Sequence, residues 1–597
     1  MKKINLLIAL FWIPFSLCGQ VYGEVRGANG EALAFASIYV QGTSQGTTTN
    51  DEGHYLFHLP PGQHQLVFQY VGYQQKIVRV SMEDQPVPLD VVLVSEAVDL
   101  QEVVVKADAE DPAYGIIRKA IAKRAEYLRK VPAYSCDVYI KGNQKVLDAP
   151  EKFLGIEIGD MGGSLDSNRQ GILYLSESQA KLHRQQPDWI KEQMISTKVS
   201  GNDNGFGFNR ASLMDFNFYN NHIEIERKLL SPIANTALQY YRYQLMGTFY
   251  DKAGHLINKI KVIPKRDADA VFRGYLYIVE DLWNIQSTEL IVTGASIKEP
   301  ALDTLVITQI HVPIQAPDVW MLFSQSLDFK FGAFGFRVKG NFTGIFSNYD
   351  LSVQFPKRFF NQEIFKVEEG ANEKDLAYWE AVRPIPLTEE EAKDYVKKDS
   401  LQILWKSKAY LDSMDQKNNR FKVWDLLLGY NWNNSYQKRR LSVGTPLSTI
   451  QFNPVQGFYG HLNIRYLKRY DDYYMRWFSV RPQIQYGFAD QRLRGQLAFT
   501  YNFNRTHFTR FIATAGRMTA QFNGQNPVSS FLDTYSSLLF KDNFIRLYEK
   551  DFVRLFFRQE VVNGFYLQTS LEYAHRRPLQ NESNYSFFNK DQSYSPN

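Results

Sequence analysis

Arg492-Leu493-Arg494-Gly495-Gln496-Leu497-Ala498-Phe499-Thr500-Tyr501-Asn502-Phe503 is the stretch on which the fold turns. Successive side chains of an extended strand point to opposite faces. Leu493, Gly495, Leu497, Phe499, Tyr501 and Phe503 therefore share one side, and Arg492, Arg494, Gln496, Ala498, Thr500 and Asn502 the other. One face suits hydrocarbon and the other suits water. The same period recurs at Phe458, Gly460, Leu462, Ile464 and Tyr466, and at Phe478, Val480, Pro482, Ile484, Tyr486 and Phe488 opposite Ser479, Arg481, Gln483 and Gln485. It returns at Val553, Leu555 and Phe557 opposite Arg554 and Arg558, and at Phe565, Leu567, Thr569, Leu571 and Tyr573 opposite Gln568, Ser570 and Glu572. Strands of about ten residues with aromatic ends match those of outer-membrane barrels.

A soluble antiparallel sheet alternates in the same way. The barrel is favoured by the company these strands keep: an export leader, no possible disulfide, 42 Phe and 36 Tyr, and polar faces rich in Arg and Gln. About six such strands follow Val455, fewer than the eight of the smallest single-chain barrels. The sequence also stops at Asn589-Lys590-Asp591-Gln592-Ser593-Tyr594-Ser595-Pro596-Asn597 and not on an aromatic-ended strand. It is expected either to be truncated at Asn597 or to draw closure from the middle region.

The 597 residues correspond to roughly three or four domains. The 44% hydrophobic content supplies real cores, and 68 Lys and Arg against 63 Asp and Glu give a net charge of only +5. Wholesale disorder and a basic nucleic-acid scaffold are both excluded. Residues 1–19 read as a signal peptide. Lys2 and Lys3 precede an apolar run from Ile4 to Leu17 that Pro14 interrupts, too short to span a bilayer, and cleavage is expected before Gln20. Cys18 would be a lipidation site only with a small residue directly before it, where Leu17 stands. Cys136 is then the one cysteine of the mature chain, so stability rests on packing without an intrachain disulfide. No later run of 18 apolar residues occurs, and membrane residence requires a closed sheet.

Residues 20–97 carry short β-branched and aromatic runs between turn signals such as Ala28-Asn29-Gly30, Asn50-Asp51-Glu52-Gly53 and Pro60-Pro61-Gly62, the pattern of a small β-sandwich with Leu66, Phe68 and Tyr70 on a core face. Val21-Tyr22-Gly23-Glu24-Val25, Gly46-Thr47-Thr48-Thr49-Asn50-Asp51-Glu52-Gly53 and Gln69-Tyr70-Val71-Gly72-Tyr73 make it resemble the carboxypeptidase-like regulatory domain, a transthyretin-like sandwich of exported Bacteroidetes proteins. The resemblance implies no peptidase activity. His54 and His58 share a strand face, but two histidines without a third ligand are read as solvated or packed and not as a metal site. In the linker 98–110, Leu100-Gln101-Glu102-Val103-Val104-Val105-Lys106-Ala107 resembles the stretch near the TonB-gripped segment of SusC-like receptors. It reads either as a TonB contact or as a plain extended linker.

Region 111–365 opens with Asp111-Pro112, a capping carboxylate before a proline suited to the first helical turn. Ile116, Ile117, Ala120, Ile121 and Leu128 predict a helix whose outer face carries Arg118, Lys119, Lys123, Arg124, Arg129 and Lys130. That basic face is either solvated or available to anionic lipid. Ten strands are expected between Tyr134 and Ile345. Their succession, with Lys261-Val262-Ile263-Pro264-Lys265, Gly274-Tyr275-Leu276-Tyr277-Ile278 and Asp318-Val319-Trp320-Met321, is similar to the half-open sheet of LolA/LolB-type lipoprotein carriers, which implies a concave apolar face able to hold an acyl chain. Residues 366–420 form a helical connector in which Thr388 and Glu391 make a capping box and Glu389-Glu390-Glu391 suit the positive end of the helix dipole. Residues 421–597 are the barrel strands.

No zinc motif, phosphate loop, nucleophile elbow or Cys-x-x-Cys pair occurs, and His222-Ile223-Glu224 has no matching ligand cluster. No catalytic, cofactor-binding or metal residue is assigned. The segments Asp111-Pro112-Ala113-Tyr114-Gly115-Ile116-Ile117-Arg118-Lys119-Ala120-Ile121, Tyr134-Ser135-Cys136-Asp137-Val138-Tyr139-Ile140-Lys141-Gly142, Phe208-Asn209-Arg210-Ala211-Ser212, Tyr240-Tyr241-Arg242-Tyr243, Pro386-Leu387-Thr388-Glu389-Glu390-Glu391 and Leu547-Tyr548-Glu549-Lys550-Asp551-Phe552-Val553-Arg554 make the whole chain resemble the DUF5686 proteins of Bacteroidetes that carry this regulatory-like sandwich. The resemblance implies an outer-membrane location with the N-terminal domains in the periplasm, in a family whose biochemical role is uncharacterised.

The resulting expectation is a mainly β, non-enzymatic outer-membrane protein in contact with membrane lipid. It would act in envelope assembly or in transport or binding of a hydrophobic or polymeric ligand (lipid, lipoprotein or polymer), with no nucleic-acid partner and no cofactor. A TonB-linked receptor and an exported hydrolase are the alternatives.

Overall fold

The computed structural model describes residues 19–83, 85–95, 110–153, 156–200, 209–315, 318–361, 363–445, 449–470, 475–504, 507–523, 528–562 and 564–597. The leader through Cys18 and the stretch Leu100–Ala107 lie outside them. The chain is mainly β and divides into two compact units, residues 1–401 and 402–597.

In the first unit, Gly19–Gly27 pairs antiparallel with His54–Leu59 and parallel with Val87–Pro88 and Val91–Leu93. Facing it, Ser37–Val40 lies between Gly46–Thr48 and Gly62–Gln69, and Lys76–Met82 completes the second sheet. Val21, Val25, Ile38, Tyr55, Phe57, Leu66 and Phe68 fill the sandwich, with Tyr70 at its margin. The outer side of the second sheet is buried as well: Tyr39 and Val67 pack with Ile310, Val312, Phe323, Ile345, Trp379 and Ile385. Gly46 sits so near Phe323 that a Cβ would lie 2.5 Å from its ring, so only glycine permits this approach.

Apart from the short pairs Lys152–Phe153 with Ile156–Glu157 and His222–Ile225 with Arg227–Leu230, the strands of residues 133–367 form one eleven-stranded sheet. In spatial order these are Tyr241–Tyr250, Leu256–Pro264, Arg273–Val279, Ile285–Thr293, Leu302–Gln315, Val319–Ala333, Phe336–Asp350, Ala133–Asp148, Gly171–Gln185, Trp189–Ser200 and Phe365–Val367. Neighbours are antiparallel except the last pair. Trp189–Ser200 is not expected from sequence because its inward side is polar: Glu192, Ser196 and Ser200 are buried. The Glu192 carboxylate accepts from the Ala211 and Ser212 amides at 2.8 and 3.0 Å.

The helix Pro112–Lys130 starts where expected, the Asp111 carboxylate accepting from the Ala113 amide at 2.9 Å and the Leu245 amide at 3.0 Å. Ile116, Ile117 and Ala120 enter the main core. Arg124 departs from the expected outer face. It is buried and donates to Asn221 Oδ1 at 2.7 Å and Asn235 Oδ1 at 2.8 Å, because these amides offer the guanidinium the partners that burial requires. Lys119 stands 3.9 Å over the Trp283 ring, Lys130 bonds Asp318 at 2.5 Å, and Arg118 and Lys123 pair with Glu110 and Glu126. Most of the basic face is thus engaged within the protein.

The connector contains Leu376–Val382 and Glu389–Lys406. Its capping box is reciprocal: the Thr388 amide donates to Glu391 Oε2 at 2.9 Å and the Glu391 amide to Thr388 Oγ1 at 3.2 Å. The three consecutive glutamates take different partners, Glu389 with Lys393, Glu390 with Lys145 at 2.7 Å and Glu391 with buried Lys141 at 2.6 Å. Thr388→Ala is expected to lower unfolding free energy by about 0.5–2 kcal/mol. Denaturant unfolding checks this, and an unchanged midpoint would show that the hydroxyl does not hold the cap.

In the second unit, Tyr430–Asn434, Arg439–Val443, Gly457–Arg469, Trp477–Gly487, Leu493–Asn504, Thr509–Gln521, Leu547–Val562 and Phe565–Pro578 follow one another as an antiparallel meander, with Gln451–Asn453 added beside Gly457–Arg469. Among the described residues its outer strands do not pair with each other, so the sheet is open. Thr509–Gln521 was not among the expected strands. Its outward residues include Ala513 and Ala515, whose alternation with Thr514 and Gly516 is too weak to read.

Candidate membrane-facing sheet and its charged inner face

The register of the second unit lines up the two faces read from Arg492–Phe503. Phe478 lies across from Tyr501, Val480 from Phe499, Pro482 from Leu497 and Tyr486 from Leu493. Two strands on, Leu497, Phe499 and Tyr501 meet Ala515, Ala513 and Phe511, which meet Val553, Leu555 and Phe557. This continuous apolar band is turned outward: Leu493 is 68%, Leu497 51% and Leu571 66% exposed. On the opposite face Arg494 is 1% exposed and Gln485, Thr500 and Asn502 are buried. A water-soluble sheet does the reverse, burying Leu and Phe and exposing Arg and Gln.

At one end of the strands the charges are closely matched. Arg494 donates to Asp490 at 2.6 Å and Glu549 at 3.1 Å; Arg577 reaches Glu549 at 3.2 Å and Asp551 at 2.6 Å, and Arg517 reaches Asp551 at 2.5 Å. Buried charges are tolerated where each meets a hydrogen-bonded counter-charge. Toward the other end the inner face carries Arg440, Arg465, Arg481 and Arg510, which are exposed, and the half-buried Arg558.

The chemistry-bearing residues noted in the sequence lie apart. His54 is exposed. His58 sits 3.0 Å from the Gln20 amide, and burial lowers its pKa. His222 and Glu224 stand exposed on a hairpin, where Glu224 pairs with Lys228. Cys136 is fully buried, and burial pushes its thiol up, away from the reactive thiolate. Among the described residues no three His, Cys, Asp or Glu side chains converge as metal ligands.

The apolar concave face expected of the central sheet is packed by the helix Pro112–Lys130 and by residues 211–237. Among the described residues a cavity of about 130 Å³ is left there, lined by Tyr127, Tyr134, Phe216, His311, Trp320 and Phe346. Ligand sites span about 300–1,000 Å³, so this space holds no full acyl chain. Burial pushes His311 down to about 4.

Sequence reading missed the buried cluster in which Arg383 donates to both Glu177 oxygens, at 2.5 and 2.8 Å, while the Tyr139 hydroxyl donates to Oε1 at 2.6 Å. Its members lie 206 and 38 residues apart. Only the pairing of two strands and the docking of the connector bring them together.

Fold and site together define a β-rich protein with an N-terminal sandwich, a sheet-and-helix middle and a C-terminal sheet whose apolar side faces outward. Three family profiles fall on those parts: the CarboxypepD_reg-like domain on residues 21–105, the family of unknown function DUF5686 on 116–349 and the DUF5686 C-terminal domain on 424–597. The chain belongs to the DUF5686 family. It is also similar to TonB-dependent receptor P39 of Formosa agariphila, 32% identical over 98 residues, which are 16% of this chain and 9% of that protein's length. Among solved structures, a LolA superfamily protein from Nitrosomonas europaea matches 41% of this chain and 98% of its own at 8% identity and a TM-score of 0.18. A DUF3823 family protein from Bacteroides ovatus matches 29% and 96% at 12% identity and 0.12. At such scores neither likeness bears on fold or function.

Proposed function

We propose that this protein resides in the outer membrane through its C-terminal sheet, with the sandwich and the central domain in the periplasm. There it acts without catalysis, in envelope assembly or in handling a polymeric ligand. The observation that carries the reading is the outward apolar band backed by the buried Arg494, Gln485, Thr500 and Asn502, an arrangement stable against lipid and unfavourable against water. The regulatory-like domain and the similarity to a TonB-dependent receptor fit an outer-membrane setting. The filled concave face of the central sheet favours a polymer over an acyl chain as the ligand.

The test is heat-modifiable gel mobility in washed outer-membrane fractions, since a closed barrel stays folded in detergent until boiled. Wild type is expected to shift on boiling. Leu497→Arg, which places a charge in the apolar band, is expected to cost about 2–4 kcal/mol and abolish most of the shifting form. On a soluble sheet an exposed leucine accepts arginine with little change. Recovery of wild type in the soluble periplasm, with Leu497→Arg equally stable, would sink the reading.

A further inference from the structure

One half of the inner face holds arginines that make no ion pair among the described residues. Arg510 lies directly across from Arg558. Between the pairs Asn463–Gln483 and Tyr466–Val480, the register sets Arg465 across from Arg481, and Arg440 lies on the same face beside Leu467. Their hydrogen bonds go to neutral groups: Arg440 to Asn431 at 3.2 Å, Arg481 to Thr500 at 3.3 Å and Arg510 to Asn502 at 3.3 Å. Arg558 Nε is buried with no partner, its guanidinium 4.6 Å over the Tyr566 ring.

Like charges directly opposite on a sheet are destabilising, and a buried N–H without an acceptor costs more. The far end of the same strands shows the remedy, since Arg494, Arg517 and Arg577 each have a carboxylate. A cavity of about 330 Å³, within the range of ligand sites, opens over the first pair, lined by Trp477, Asn502, Phe508, Arg510 and Arg558. A second of about 330 Å³ is lined by Asn433, Arg439, Arg440 and Leu467.

We propose that these paired arginines bind a ligand carrying several oxyanions, phosphate or carboxylate, along one extended molecule. Guanidinium forks take oxyanions in bidentate fashion, and arginine rings line anion-selective pores. Arg481 and Arg510 are four residues apart in register and two strands apart, about 13 Å by about 10 Å from strand geometry. One phosphate cannot serve both pairs, and a polyanion can. The inference rests on the membrane reading proposed above, in which this sheet, open among the described residues, lines the lumen of a closed barrel, and it names the ligand class of that lumen.

The experiment is equilibrium binding of linear polyphosphate and of inorganic phosphate to the full-length protein in neutral detergent. A parallel arm adds mixed micelles containing anionic phospholipid, and heat-modifiable mobility is recorded on every sample. Polyphosphate is expected to bind wild type with affinity that falls as salt is raised, and inorganic phosphate to bind far more weakly. Arg510→Gln/Arg558→Gln and Arg465→Gln/Arg481→Gln are each expected to weaken binding about tenfold or more, whereas Lys417→Gln leaves it unchanged. If either double variant loses its heat-modifiable form, the corresponding Arg→Lys pair takes its place, expected to fold and to bind more weakly than wild type. Competition by the phospholipid identifies a lipid headgroup as the source of the oxyanions, and its absence identifies a soluble polymer. Wild type that shifts on boiling but binds neither probe, or double variants that bind as wild type does, would overturn the oxyanion site alone. Wild type with no heat-modifiable form would overturn the barrel reading beneath it.

Discussion

Arg383→Met is expected to remove about 3–5 kcal/mol of unfolding free energy, because it strands the Glu177 carboxylate in the interior. Glu177 is fully buried and Arg383 largely so, with relative side-chain exposures of 0% and 11%. Burial by itself pushes the Glu177 carboxyl up, but the Arg383 hydrogen bonds and charge, with the Tyr139 hydroxyl, outweigh it and hold the pKa below the usual carboxylate range. The sign of the pH dependence follows. In wild type the lowered pKa contributes stability that is complete above the unfolded-state value of about 4.3 and is lost as pH falls through the lower folded value. In the variant only the Tyr139 hydroxyl and the Lys141 charge still oppose burial, so the pKa rises and the carboxyl takes up a proton more readily than in wild type. The deficit of Arg383→Met is therefore largest at neutral pH and shrinks on acidification. Glu177→Gln/Arg383→Met is expected to recover at least half the loss, since no charge remains buried. Denaturant unfolding at pH 7 and pH 4.5 checks both statements. A deficit under about 1 kcal/mol, equal at the two pH values, would show that the pair does not fasten the connector to the sheet.

Arg494→Met should be comparably severe in the second unit, at about 3–5 kcal/mol, because Asp490 and Glu549 both lose the guanidinium that joins them. Arg577 still reaches Glu549, so the loss falls most heavily on Asp490 at the turn before Leu493–Asn504. Lysine is expected to rescue only part, because an ammonium is a point charge and lacks the fork that reaches two carboxylates. The measurement is the fraction of protein in the heat-modifiable form for wild type, Arg494→Met and Arg494→Lys. Equal fractions in all three would exclude a structural role for this buried cluster.

Pattern alone located the parts that obey a local rule. Asp111-Pro112 and Thr388–Glu391 are helix starts whose caps act within a few residues, so the sequence contains the whole interaction. The alternation in Arg492–Phe503 likewise fixes which side chains share a face, because the period of a strand is set by backbone geometry. Leu66 and Phe68 were legible as core for the same reason. Where partners are distant the pattern fails. Val67, on the opposite side of that strand, is buried only because the sandwich docks on the sheet bearing Phe323 and Ile345. Arg124 looked solvated because Asn221 and Asn235, which receive it, lie 97 and 111 residues away. Trp189–Ser200 was missed because Glu192 faces inward, a choice made by the amides of Ala211 and Ser212 and not by hydrophobicity.

By itself, then, the sequence determined a mainly β protein with a leader-like start, an N-terminal sandwich, capped helices and a C-terminal run of strands that are apolar on one side and polar on the other. Which side faces out, which arginines find carboxylates and which are left opposite one another were decided only by tertiary structure. The physical reason is that local propensities act over a few residues. Burial and charge pairing depend on the register between strands and on which surfaces dock, and in Arg510 with Arg558 that register leaves a positive site for an anion to fill.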